Sequence, residues 1–350
     1  MQDNPKFNAL SKALNATIAY EGRDYLYFGG TAYLGIPQNE AFLGLYIEGL
    51  QRFGLNNGTS RNNNVQLGIY NEVENYAAEL FGAEEALITS SGFLAAQMAV
   101  KYVSGLGEVR YAPTTHPALW LNEVPKTIGS FESWAKSIVD EINTSRQKTW
   151  VLISNSMNNL LPEIYDFSFV EKIDQHKEIV LLIDDSHGIG INHNASSALT
   201  LHQQKTNVSV ILVASMAKAL GVDAGMIMGS KSLIHQIKAG NEFIGASPPA
   251  AAGLYAFMHG EKIYSAAREQ LKENMLVMAA ALSGNPDWEF ITDFPVYFSK
   301  NADISNRLLQ HRILVSSFPY PDKDGAMINR IVLSSWHNIT DINKLIKSLL

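Results

Sequence analysis

Apolar positions recur every three to four residues over 39–53, 70–81, 94–103, 167–176 and 233–244, a spacing that predicts helices. Short runs rich in β-branched and aromatic residues separate them, at 25–28, 85–89, 109–111, 150–154, 179–183, 208–213 and 226–228, and these read as strands. The alternation implies βαβ units, and with them an α/β fold: a mostly parallel central sheet flanked by helices. Ahead of it, residues 1–24 carry Phe7, Leu10, Leu14 and Ile18 at helical spacing, which predicts a short amphipathic arm. Beyond Gly229 the rhythm changes. Ala246-Ser247-Pro248-Pro249 breaks the helix before it, and a long helical stretch over 250–281 follows, of the kind that links domains. Short strands at 296–298, 313–315 and 330–334 and a last helix over 339–350 then read as a smaller α+β domain. No internal repeat is visible.

In such a sheet, ligands collect at the C-terminal ends of the strands. Four groups with chemistry to offer fall there: the Ser90-Ser91-Gly92-Phe93 turn, His116, the Asp184-Asp185-Ser186-His187-Gly188 block, and Lys218. The turn opens a helix whose free N–H groups and dipole suit an anion, although a plain βα turn has the same pattern. Lys218 lies in a small, largely uncharged loop with no carboxylate beside it. Desolvation there disfavours the charged amine and makes it a nucleophile towards an aldehyde; a solvated loop lysine is the alternative. Asp184 closes a buried apolar run, so its carboxylate needs a cation or a proton donor. It can cap the following turn, ligate a metal with Asp185 and His187, or hold the protonated ring nitrogen of pyridoxal phosphate; the metal reading lacks further ligands nearby.

Composition narrows the function classes. The chain has 350 residues, enough for one large domain or two smaller ones, and is 46% hydrophobic and 17% charged. A net charge of −7 argues against a polyanion, so no nucleic-acid partner is expected. With no cysteine there are no disulfides and no thiolate metal sites. The polar N-terminal residues lack the apolar core of a signal peptide, and no run is long enough to span a bilayer. A soluble, cytoplasmic protein without a membrane partner is the expectation.

Asp184-Asp185-Ser186-His187-Gly188-Ile189-Gly190 resembles the D-E-A-H-G-x-G of the α-oxoamine synthase family, pyridoxal phosphate enzymes of fold type I related to the class I/II aminotransferases. Ser215-Met216-Ala217-Lys218-Ala219-Leu220-Gly221 is similar to that family's T-x-S-K-A-x-G lysine loop. The likeness runs on through Tyr33-Leu34-Gly35, Gly58-Thr59-Ser60-Arg61 with Gly68 and Glu74, Ser91-Gly92-Phe93, His116, Ser156-Met157, Ser247-Pro248-Pro249, and Arg330 with Ser334 and His337.

The resemblance implies an N-terminal segment over 1–45, a large cofactor-binding domain over 46–245 and a small C-terminal domain over 246–350. It implies an internal aldimine of pyridoxal 5'-phosphate at Lys218 and a ring-nitrogen contact from Asp184. His187 and Ser156 would lie near the cofactor's phenolic oxygen, and His116 on its ring face. Ser91, Gly92, Phe93 and Ser215 would hold the phosphate, with Ser247 reaching the neighbouring subunit's phosphate site in a homodimer. Arg330 would grip the substrate carboxylate. The implied reaction is a decarboxylating condensation of a small amino acid with an acyl-CoA, with Lys218, His116, Asp184 and His187 as its chemical groups.

Departures from the family pattern bear on substrate. Ala32 stands where the family has Asn, and Leu152 and Asn158 replace its acidic residues. Asp185 and Ser186 replace Glu and Ala, and Asp223 follows the lysine loop. The N-terminal arm, which shapes the acyl-CoA entrance, is short. Transamination or aldol-type cleavage on the same scaffold, or cofactor binding without turnover, are the alternatives those departures leave.

Overall fold

The computed structural model describes residues 7–192, 197–198, 206–320 and 324–349. They form two compact units. One comprises the N-terminal residues up to Gln38, Leu160–Pro162 and the chain from Tyr264 onward; the other comprises Asn39–Asn159 and Glu163–Ile263.

The N-terminal residues make strands. β1 (Thr17–Tyr20) and β2 (Arg23–Phe28) form an antiparallel hairpin whose turn residues Glu21 and Gly22 both have positive φ, 49° and 71°. Such a turn matches the twist of the paired strands. The predicted amphipathic arm is therefore corrected: among its described residues there is no helix, and Ile18 lies in β1. Four apolar residues set among polar ones could bury little surface as a helix, whereas β1 satisfies its backbone against β2 and Phe7 packs on Tyr20 and Tyr25 with centroids 4.8 and 5.1 Å away. Residues 1–6 of the arm lie outside the described residues.

The larger unit opens with α1 (Glu40–Phe53) and α2 (Ile69–Phe81). There follow β3 (Glu85–Thr89), α3 (Gly92–Val103), β4 (Glu108–Tyr111), α4 (Phe131–Thr144), β5 (Thr149–Asn155), β6 (Glu178–Asp184), β7 (Val208–Ser215) and β8 (Gly225–Gly229). The sheet order is β3-β8-β7-β6-β5-β4. β4, β5, β6 and β7 run parallel, and β8 is antiparallel to both of its neighbours, so the sheet is mostly parallel as expected. The apolar runs of β5, β6 and β7 are buried almost throughout, as strands covered on both faces must be. α3 covers one face with Ala95, Ala96, Ala99, Val100 and Val103, whose small side chains let it lie close against β7 and β8.

Two predicted helices are interrupted. The 233–244 stretch is α5 (Lys231–Lys238) and α6 (Asn241–Gly245), parted at Gly240. The 250–281 stretch is α7 (Ala251–His259) and α8 (Glu261–Leu282), parted at Gly260, whose backbone leaves the helical region. α7 packs on α1 so closely that a Cβ on Gly49 would lie 2.8 Å from Ala252 Cα. The 167–176 segment is a 3-10 helix over Phe167–Lys172, while α4 is an element the expectations do not include.

In the smaller unit, β9 (Trp288–Phe290), β10 (Val296–Ser299), α9 (Ile304–Gln310), β11 (Ile313–Tyr320), β12 (Ala326–Val332) and α10 (Ile339–Leu349) follow α8. Its sheet order is β1-β2-β11-β12-β10-β9, with β2 and β11 parallel and the other pairs antiparallel, an α+β arrangement. Leu350 of the predicted last helix lies outside the described residues.

Candidate active site

The C-terminal ends of β5, β6 and β7 carry the central groups of the candidate site. Asn155 and Asp184 are register partners at the ends of β5 and β6, and Ser215 ends β7. Asp184 is buried; its Oδ1 accepts from Ser186 N at 2.9 Å and its carbonyl accepts from Ser156 N at 2.8 Å. Ser186 Oγ in turn accepts from Ser215 N at 2.9 Å, so the hydroxyl that departs from the family alanine ties the ends of β6 and β7 together. After Ser215 the chain folds back on itself, with Met216 N donating to Ala224 O at 2.9 Å and Val222 N to Met216 O at 3.1 Å. Lys218 is half-buried in that fold.

The start of α3 meets the same strand end. Ser91 caps the helix, its Oγ accepting from Leu94 N at 3.1 Å. A Cβ on Gly92 would lie 2.5 Å from Ser215 Cβ, and one on Gly225 would lie 2.2 Å from Ser91 O, so neither position has room for a side chain. Leu94 N is taken by the Ser91 cap, while the Gly92 and Phe93 N–H groups before it have no acceptor within the helix, and this end of α3 lies against Ser215. Phe93 is exposed.

His116 stands where Asp184 and Lys218 both act on it. Burial of its surroundings lowers its pKa most; the Asp184 carboxylate raises it and the Lys218 ammonium lowers it. The residue nevertheless keeps an exposed face. Its Nδ1 accepts from Ala118 N at 3.1 Å, so in the neutral ring the proton sits on Nε2. Asn155, absent from the predicted site residues, accepts from His116 N at 3.1 Å through Oδ1. Its position at a strand end, close before Ser156, is the signal the sequence offers for it.

Asp185 points away into the core and is fully buried. Oδ2 accepts from Ala198 N at 3.0 Å, and Gly188 has no side chain because a Cβ there would meet Oδ1 at 2.2 Å. Burial pushes this carboxyl up to about 7, with the Ser156 hydroxyl and the Ala198 N–H working downward and the Asp184 charge upward. Ser156 is itself buried; it is close enough to act on Asp185 but makes no hydrogen bond through Oγ. His187 is half-buried in the turn after Asp184. Among the described residues no group of three or more His, Asp or Glu is arranged to hold a metal ion.

Ser247 is exposed and lines a cavity of about 380 Å³ with Asn56, Gly58, Ser60, Tyr70 and Pro249, and no other predicted site residue lines it. Arg330 belongs to the smaller unit, where burial lowers its pKa, the nearby Tyr33 raises it, and Phe318 lies under its guanidinium at 5.4 Å. Arg61 and Glu74 of the matched motif form a buried bidentate pair at 2.8 and 3.1 Å, with Glu74 Oε1 also accepting from Ile88 N at 3.1 Å. Of the departures, Leu152 is fully buried within β5, Asn158 donates to Glu163 Oε2 at 3.2 Å, and the Ala32 carbonyl accepts from Ser334 Oγ at 2.6 Å.

Residues 121–349 match the family described as aminotransferase class I and II. The chain belongs to that family. As a class I and II aminotransferase-family member it is a pyridoxal phosphate-dependent transferase, and its kinship is with the α-oxoamine synthases. It is 25% identical over 344 residues to a putative 8-amino-7-oxononanoate synthase of Methanococcus vannielii, covering 93% of this chain and 91% of the relative. It is 22% identical over 355 residues to an 8-amino-7-oxononanoate synthase of Petrotoga mobilis, covering 95% and 90%. Its fold is that of fold type I: a serine palmitoyltransferase structure from S. paucimobilis superposes with TM-score 0.79 at 16% identity over 97% of this chain and 90% of that one. An 8-amino-7-oxononanoate synthase structure from Francisella tularensis gives TM-score 0.70 at 16% identity over 93% and 96%. Among the described residues no helix is long and apolar enough to cross a membrane.

Proposed function

We propose that this family member condenses a small amino acid with an acyl-CoA: a bond forms between the amino acid Cα and the thioester carbon, and CoA thiol and CO2 are released. The observation that carries the reading is the gathering of His116, Asp184 and the Ser215–Lys218 loop at neighbouring strand ends: Asn155, the register partner of Asp184, holds His116 N at 3.1 Å, and the start of α3 packs on Ser215. The residues fit pyridoxal phosphate. The open N–H groups of α3 and the Ser91 and Ser215 hydroxyls suit a phosphate, the room left by Gly92 keeps them together, and the buried Asp184 carboxylate suits a cationic ring nitrogen. When bound, the cofactor supplies an electron sink for the charge that develops at the substrate Cα.

The chain's own groups do the rest. Lys218 would anchor the cofactor through Nζ, and the same amine would be the base for the substrate Cα proton. Asp184 would face the ring nitrogen and keep it protonated. His116, with its proton on Nε2, would stand against the bound cofactor and donate a hydrogen bond from that nitrogen to the developing oxyanion. His187 and Ser156 serve the phenolic-oxygen side. Arg330 pairs with the substrate carboxylate, a task for a planar fork of donors. Ser247 serves the phosphate of a second copy in a homodimer, which accords with its exposure and its separate cavity.

The test uses a thiol reagent. Because the chain has no cysteine, thiol released in a mixture of protein, pyridoxal phosphate, acyl-CoA and glycine, alanine or serine reports CoA alone. Thiol release that requires both substrates and is lost in Lys218→Ala is the expected result. Formation of a 2-oxo acid or an aldehyde with no CoA release would overturn the proposed reaction.

A further inference from the structure

His116 is held by a relay that begins on a neighbouring strand end. Asn155, 1% exposed at the end of β5, uses both ends of its carboxamide on one loop: Oδ1 accepts from His116 N at 3.1 Å, and Nδ2 donates to the Thr114 carbonyl at 2.9 Å. The side chain is thereby fully committed to the loop. Thr114 itself has φ 57°, a left-handed conformation that a β-branched residue adopts only when its surroundings enforce it. A second contact holds the residue through its side chain. Its Oγ1 shares a 2.8 Å hydrogen bond with the hydroxyl of Tyr165.

Tyr165 is a firm brace. It is buried, its ring stacks on Phe131 of α4 at 4.1 Å with planes 2° apart, and its N–H donates to Ser156 O at 3.1 Å. Burial pushes its phenol up to about 12, so it keeps its proton across the physiological range. Downstream of Thr114, Trp120 Nε1 donates to both the carbonyl and the hydroxyl of Thr115 at 3.1 Å, and the turn closes with Ala118 N on His116 Nδ1. That last bond is local, two residues along the chain, and Asn155 fixes the main chain from which the ring makes it. The loop is strained at Thr114, clamped by Asn155 and braced by Tyr165, and His116 is the residue it delivers.

We propose that Asn155 is a positioning residue for His116: its carboxamide, backed by Tyr165 through Thr114, sets the place of the imidazole and the nitrogen that carries its proton. The consequence for the reaction rests on the role proposed above for His116. The consequence for the ring does not.

The test follows the His116 ring by NMR in full-length protein labelled at histidine, with and without pyridoxal phosphate, the signal being assigned among nine histidines by its loss in His116→Ala. The wild-type ring should titrate below the ordinary histidine value, with burial and the Lys218 ammonium lowering it and the Asp184 carboxylate opposing them, and its neutral form should carry the proton on Nε2. In Asn155→Ala, with the fold checked by circular dichroism, the tautomer preference should weaken and the titration should move up towards the ordinary value of about 6.5. Tyr165→Phe keeps the stack on Phe131 and should give a smaller change of the same sign, so it decides the matter if Asn155→Ala does not fold. Where CoA release is observed, kcat should fall roughly tenfold or more in Asn155→Ala with a smaller change in KM, as expected of a displaced acid–base group. An unchanged tautomer and titration in both folded variants would overturn the proposal. A wild-type protein that released no CoA would count against the proposed function and leave the ring measurement decisive for Asn155.

Discussion

Gly92 and Ser215 are packed with no space between them: a Cβ on the glycine would sit 2.5 Å from the serine Cβ and 2.7 Å from its Cα. The first turn of α3 and the end of β7 therefore share one surface only because residue 92 is glycine. Gly92→Ala should force them apart. The overpacking should destabilise the protein by about 1–3 kcal/mol, and the dissociation constant for pyridoxal phosphate, read by absorbance titration, should rise roughly tenfold or more. Unchanged cofactor affinity in a folded variant would remove the phosphate from this corner.

Asp185 gives the protein a pH-dependent stability. Its carboxyl lies in the core with a pKa pushed up to about 7, whereas in the unfolded chain it titrates near 4. The folded state thus holds a proton that the unfolded state has lost. The stabilising contribution is complete below about pH 4 and is lost as pH rises through about 7, by up to roughly 4 kcal/mol. Urea unfolding at pH values from about 5 to about 8 should show this fall in the wild type and a flatter profile in Asp185→Asn, whose amide oxygen can still accept from Ala198 N. A steep profile retained in the variant would assign the pH dependence elsewhere.

The Arg61–Glu74 pair should matter for folding, and through folding for the loop that carries it. Both side chains are buried, the pair is bidentate, and Glu74 also accepts from Ile88 N in β3 and, at 3.4 Å, from Lys238 in α5. Glu74→Gln leaves the Arg61 guanidinium without its countercharge in the interior. A loss of about 3–5 kcal/mol in urea unfolding is expected. A loss below about 1 kcal/mol would mean that the guanidinium finds another partner or reaches water.

Much of this architecture is legible in the amino-acid sequence. The runs of β5, β6 and β7 are apolar at nearly every position because both faces of the sheet are covered, and such runs cannot be mistaken for surface loops. The strand-end rule then collects Ser91, His116, Asp184 and Lys218, each shortly after a strand or at its end. α4 is equally legible. Ser130 caps it, and Phe131, Trp134, Ile138 and Ile142 repeat at helical spacing, yet the segment lies between two strands whose stronger apolar runs dominate the pattern. The N-terminal arm shows the opposite failure: Phe7, Leu10, Leu14 and Ile18 have the right spacing, but the decisive partner, β2, lies beyond a two-residue turn that periodicity does not weigh.

Other parts of the site have no signature in the pattern. Asn155 and Ser186 look like ordinary polar residues at strand ends; their significance lies in which backbone groups come within reach after the β-sheet is assembled. The same holds for Asp185, whose neighbour Asp184 has the same side chain and a different environment. One keeps its carboxylate at the strand end with Ser186 N, while the other is turned into the core against Gly188. Alternation of side-chain direction along an extended chain separates them, and tertiary packing decides which face each meets.

Lys218 as the residue that holds pyridoxal phosphate is tested most directly by a visible absorption spectrum. The purified protein is loaded with pyridoxal phosphate and then desalted, wild type beside Lys218→Ala. A protein-bound band that survives desalting and changes on addition of a small amino acid is expected in the wild type, and its loss in the variant. The same band, equally retained by Lys218→Ala, would mean that the cofactor is held elsewhere.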